Sequence, residues 1–338
     1  MSVSQFVITN PSDQNVFRSI VLFGRNVASY KFALALSLLE FAAEGKERVS
    51  LAELAAPYSR ELCRHLGFAP KQVTSGSSRF LTACKDFNSG RIKEDQLLDI
   101  TTQLGFQNVI DAFHRVGTED VPVRFFVDER RSSVPSIVIT EEMINLAKVT
   151  GSTSLAETEA RWRLVETAWE IGTATTIIDF DSDSQHLVLQ GKRTSVTSAR
   201  SALNGYQKGS CFYCYRQINV LSGLPDLADV DHLFPHVLER RGLTSNLNGI
   251  WNLVLACQTC NRGHNGKFDA TPHHTYIERL KTRNEYLISS HHPLRETLIK
   301  QTGTTVEQRR NFLQERLNAA LTYQAVPWQT EPVGLSAF

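Results

Sequence analysis

Apolar residues recur at three- and four-residue spacing through much of the first 170 positions, which predicts a mainly helical N-terminal region. The segment Val27–Ala43 is long, apolar and rich in Ala and Leu, and Gly45 is placed to stop it. Ser50 stands before Leu51 with Glu53 three residues on, a capping-box pattern. Leu54, Tyr58, Leu62 and Leu66 then continue the helical period. Leu97–Phe113, Glu141–Lys148 and Thr158–Ile171 also read as helices. The β-branched runs Val123–Val127, Ile137–Thr140 and Thr175–Ile178 read as short strands. Between residues 181 and 200, Ser, Thr and charged residues replace the apolar periodicity, which predicts a linker. Near the end, Phe312, Leu313, Leu317 and Leu321 mark a helix over Arg309–Thr322, and a Pro-bearing segment follows it. The expected class is α+β. A mainly helical domain takes 1–190, a linker 191–204, a compact module 205–290 and a helical tail 291–338.

A chain of 338 residues exceeds one ordinary core, and 41% hydrophobic with 21% charged residues is usual for soluble proteins. No run approaches the roughly 18 apolar residues of a membrane span, and the first residues lack a signal-peptide pattern. The expectation is a cytoplasmic protein with no membrane partner. Its thiols are then reduced, and clustered cysteines point to metal. The net charge of +1 hides a segregation, since residues 1–190 carry −5 and residues 191–284 carry +6. The basic surplus falls on the segment rich in cysteine, where an acidic polymer would bind. Targeting, assembly and autoinhibition all stay open for the acidic domain.

Four of the six cysteines form two C-x-x-C units, Cys211–Cys214 and Cys257–Cys260. Two residues between cysteines let both thiolates of a knuckle face one ion, and two knuckles complete a tetrahedral four-thiolate zinc site. Such a site has no open position, so this Zn2+ is expected to be structural. The 42 residues between the pairs imply a folded insertion. Cys63 and Cys84 stand alone and read as buried thiols.

The insertion holds ADVDHLFPHVL and then NLNGIWNLVLACQTCNRGHNGK. Here the chain resembles the HNH endonuclease family over about 80 residues, a quarter of its length. Asp231-His232, Asn252 and Asn261 match the family's signature in order and spacing. The resemblance implies a zinc-stabilised ββα-metal module, of the variant with Asn in the last position, that hydrolyses DNA phosphodiester bonds, as an endonuclease or nickase. It implies His232 as general base, because an imidazole titrates near neutrality. Asp231 and Asn261 would hold a catalytic Mg2+ or Mn2+, with His264 an alternative ligand three residues after Asn261. Asn252 would brace the His232 loop through backbone hydrogen bonds. Arg240, Arg241, Arg262 and Lys267 are candidate phosphate contacts. His236 could line the same cleft. DNA is the expected partner, with RNA open. A large extra domain resembles the nucleases of antiphage or restriction systems, which suggests protein partners through that domain. The competing reading is a non-catalytic zinc module that grips nucleic acid or protein. His65, His114 and His186 read as structural, as do Trp251 and the Arg161–Arg163 run.

Overall fold

A computed structural model describes residues 6–7, 9–23, 28–74, 78–171, 178–189, 195–290 and 292–338. The chain is α+β, with long helices and several small antiparallel sheets. It divides into two compact units, 2–172 and 173–338. Among the described residues no helix is long and apolar enough to cross a membrane.

In the first unit, the helices Tyr30–Ala43 and Leu51–Leu66 pack beside one 31-residue helix, Glu141–Ile171. That helix joins the two separate helices expected at 141–148 and 158–171. The Ser50–Glu53 capping box is present and starts the Leu51–Leu66 helix. Phe126–Glu129 and Ser136–Ile139 pair antiparallel, with Arg48–Ser50 on the outer side of the second strand. The helix expected over Leu97–Phe113 is broken into Glu94–Ile100, a π-type turn at Thr101–Gly105, and Val109–Phe113. Tyr58 donates its hydroxyl to the Gly105 carbonyl at 3.0 Å, giving that oxygen a partner outside the helix.

The Arg161–Arg163 run is scaffold. Trp162 is fully buried, donates to the Gln72 side chain at 2.9 Å and stacks on His65. His65 is itself buried between Glu166, at 2.7 Å from Nδ1, and Glu159, at 3.1 Å from Nε2.

His114 is buried too, and its Nε2 accepts the Phe125 N–H at 2.9 Å. That bond requires an unprotonated Nε2. Burial, then the charge of Arg124, lowers its pKa from 6.5 to about 4. The folded state therefore binds fewer protons than the unfolded state between these values. The stabilisation is complete above pH 6.5 and is lost as pH falls through 4, by about 3 kcal/mol in all. His114→Gln keeps an acceptor without a titrating ring. Its urea midpoint should fall less than the wild type's between pH 6.5 and 4; parallel curves would refute this role.

Over its described residues the expected linker is strand and helix. Ile178–Asp181, His186–Leu189 and Ser195–Ser198 form a three-stranded antiparallel sheet inside the second unit, and the helix Ala199–Gln207 follows. Alternating strands with Asp179 and Asp181 beside buried Ile178 and Phe180 look polar on average, which hides them from an apolar-run criterion. Residues 175–177 and 190–194 lie outside the described residues, so those parts of the expected strand and linker are not covered.

The tail belongs to the same unit as the cysteine module. Helices Arg295–Thr302 and Val306–Tyr323 precede an extended segment that docks on that module. Trp328 exchanges backbone bonds with Thr271 and His273, and its indole N–H donates to the Asn265 carbonyl at 2.8 Å. The N–H groups of Val333 and Gly334 both donate to the Cys214 carbonyl. A Cβ at position 334 would lie 2.3 Å from the Tyr215 oxygen, so only glycine allows that approach.

Candidate functional site

The frame of the site is a strand pair. Asp229–His232 runs antiparallel to Leu253–Ala256, with Asp231 opposite Val254 and His232 opposite Leu253. Leu253–Ala256 is buried throughout, and the Gln207 side chain bonds both the N–H and the carbonyl of Leu255. Arg283 is 1% exposed and donates to the carbonyls of Ile250, Trp251 and Leu253. Burial lowers its pKa to about 10. Trp251 is core, packed edge-on against Phe312.

At one end of this pair stand the four cysteines. Cys211, Cys214, Cys257 and Cys260 are buried, and their sulfur atoms all lie within 4.8 Å of one another. Zinc–sulfur bonds of about 2.3 Å in a tetrahedron require sulfurs about 3.8 Å apart. Cys214 and Cys257 are separated by 3.8 Å. Both the donor set and the spacing fit a structural zinc ion. Among the described residues this is the one group of three or more His, Cys, Asp or Glu side chains able to share a metal. Cys63 and Cys84 are buried elsewhere, in the first unit.

Asn252 is fully buried, and its amide clamps the segment after the first strand. Its Oδ1 accepts the Phe234 N–H at 2.8 Å, and its Nδ2 donates to the carbonyls of Phe234 and Leu247 at 3.0 and 2.9 Å. The end of the strand that carries Asp231 and His232 is thereby fixed.

Asp231 and His232 have different side-chain partners, as alternation along a strand requires. The Asp231 carboxylate accepts from the Tyr213 hydroxyl at 2.5 Å and pairs with the Lys267 ammonium at 3.3 Å. Burial raises its pKa from the ordinary aspartate value, against the pull of Lys267 and Tyr213. The His232 Nε2 lies 3.0 Å from Asn248 Oδ1, and its ring touches those of His236 and Phe180. Since Asn248 offers an oxygen, Nε2 carries the hydrogen and Nδ1 keeps the lone pair. Burial, then His236, lowers the His232 pKa to about 4, so the ring is neutral at neutral pH. The shared neighbour is Lys267, which also donates to the His232 carbonyl at 3.0 Å.

Lys267 is therefore not a phosphate contact. It is 1% exposed, with its ammonium enclosed by Asp231 and the carbonyls of His232 and Phe268. Arg240, Arg241 and Arg262 are exposed; Arg240 pairs with Asp269 at 3.0 Å and Arg262 with Asp229 at 2.8 Å. Asn261 donates through Nδ2 to Asp229 at 3.0 Å. Asp229 lies two residues before Asp231 on the same strand face, and sequence reasoning passed over it.

No family model, characterised protein or solved structure matches the chain.

His264 does not share a helical face with Asn261. The helix is short, Gln258–Arg262, and ends at Gly263. A Cβ there would meet the Thr259 carbonyl at 2.6 Å, and the chain turns back so that Lys267 N–H bonds the Cys260 carbonyl. His264 is exposed beyond that turn. Asn248, Tyr213 and the pair His236–Glu239 complete the surroundings of the site. Asn248 and Tyr213 carry no spacing signal, because each meets its partner through the fold, whereas His236 and Glu239 meet locally, three residues apart.

Proposed function

We propose that the second unit is an HNH-type, metal-dependent phosphodiester hydrolase acting on DNA. The observation that carries this reading is the Asn252 clamp on a two-stranded frame anchored by four cysteines. It fixes a histidine and a buried aspartate at consecutive positions of one strand end, on alternate faces, beside a short helix that bears Asn261.

Asp231 and Asn261 are the proposed holders of Mg2+ or Mn2+, both oxygen donors suited to hard ions. Such an ion, when bound, neutralises charge on the scissile phosphate and the leaving oxygen. His232 Nδ1 takes a proton from the attacking water, while Asn248 fixes the ring through Nε2. Lys267 and Tyr213 hold Asp231 Oδ2. Exposed Arg240, Arg241 and Arg262 bind backbone phosphates without reading sequence.

Supercoiled plasmid tests the reading. Zinc-loaded protein should give nicked or linear DNA in Mg2+ or Mn2+, and none with the divalent ion omitted. DNA that is retarded in a gel and stays intact would instead make the unit a binding module. Cleavage of RNA alone would move the substrate.

A further inference from the structure

Next to His232 lies a second imidazole for which the reading above gives no role. His236 sits four residues on, at the start of the short Val237–Arg240 helix, with its side chain about one-third exposed. The two ring centroids are 4.2 Å apart. His236 Nδ1 lies 3.0 Å from Glu239 Oε2, and a carboxylate only accepts, so Nδ1 carries the hydrogen and Nε2 points away from the pair. Glu239 is fixed in turn, because its Oε1 accepts the Leu247 N–H at 2.9 Å. The next residue, Asn248, holds His232. One short segment, 247–248, thus orients both imidazoles, and Asn252 bonds its Leu247 carbonyl.

A ring one-third exposed contributes little to a core, and a surface His–Glu pair contributes little to stability. Held by a carboxylate on one nitrogen and open on the other, it has the arrangement of an oriented acid–base group. His236 has a carboxylate partner in Glu239, whereas His232 has Asn248, an amide.

We propose that His236 is the general acid that protonates the leaving oxygen, with Glu239 as its positioning residue. This inference rests on the nuclease reading. His232 Nδ1 removes a proton from water as the water oxygen bonds to phosphorus. The bond from phosphorus to the 3′ oxygen breaks with its electron pair, and the proton on His236 Nε2 passes to that oxygen. Solvent then returns a proton to His236 and takes one from His232, so the cycle closes.

The test uses the zinc-loaded full chain, with Mg2+, on two duplexes. At a linkage that the wild type is mapped to cut, one carries oxygen and the other sulfur at the bridging 3′ position. A thiolate leaves without a proton. His236→Ala should slow cleavage of the oxygen linkage by about 10²-fold, the low end for general acid catalysis, and leave the sulfur linkage within about threefold of wild type. Glu239→Gln should show the same selectivity with a smaller loss. Equal losses on both linkages, or none on either, would overturn the assignment while leaving the nuclease reading intact. A zinc-loaded wild type that cuts neither duplex would overturn both.

Discussion

Replacing Cys257 with Ser should empty the zinc site and unfold much of residues 173–338, while residues 2–172 keep their structure. The four sulfurs cluster tightly enough to share one ion. Structural zinc contributes on the order of 10 kcal/mol to the folding of small zinc domains, more than most domains possess in total. The consequences extend beyond the knuckles. The Cys214 carbonyl receives the tail through Val333 and Gly334, and Phe338 packs against Phe212 and Tyr215 beside the first pair. The Phe212 N–H bonds the Leu255 carbonyl of the buried strand. Loss of the ion should thus release tail and strand together. Elemental analysis should find one zinc per wild-type chain and none in the variant. Amide exchange should show lost protection confined to the second unit. A variant that keeps its protection without zinc would show that the cysteines are ordinary core.

The second large effect separates Asp231 as scaffold from Asp231 as chemistry. Among the described residues its carboxylate is the one acidic partner of the buried Lys267 ammonium, whose other two hydrogen-bond partners are carbonyls. Asp231→Ala strands that charge, at a cost of about 3–5 kcal/mol. The variant should unfold at clearly lower urea and lose activity, so its inactivity alone proves nothing about metal. Pairing Asp231→Asn with Lys267→Met removes both charges, and the amide still accepts the Tyr213 hydroxyl. Most of the stability should return. Cleavage should not, because the anionic ligand is gone. Recovery of activity along with stability would show that Asp231 serves the fold alone.

These two sites also show how far the sequence could be read. The cysteines were legible because four thiolates in two close pairs satisfy a fixed coordination number whatever lies between them. Asn252 was legible only through the resemblance, which gave it backbone bonds to the His232 loop, and its amide bonds to Phe234 and Leu247. The helices from Leu51 and from Val306 follow their caps and periods.

Lys267 was misread because the tight turn through Gly263 and Gly266 carries it inward, and no local pattern records such a reversal. The same turn removes His264 from the helix. The sheet at 178–198 looked like a linker because its polar residues alternate with few apolar ones. Asp229 and Asn248 act through partners 32 and 16 residues away, distances that only the folded chain makes short.

Cleavage by His232→Ala, measured against wild type under single turnover, tests the central claim most directly. The His232 side chain makes one hydrogen bond, to Asn248, and its loop is held by Asn252, so its removal should leave zinc content and melting unchanged. A lost general base slows the reaction by at least about 10²-fold. The account predicts a folded, zinc-loaded variant that binds DNA in Mg2+ or Mn2+ and cuts it at least that much more slowly. A variant that cuts as fast as wild type would contradict it.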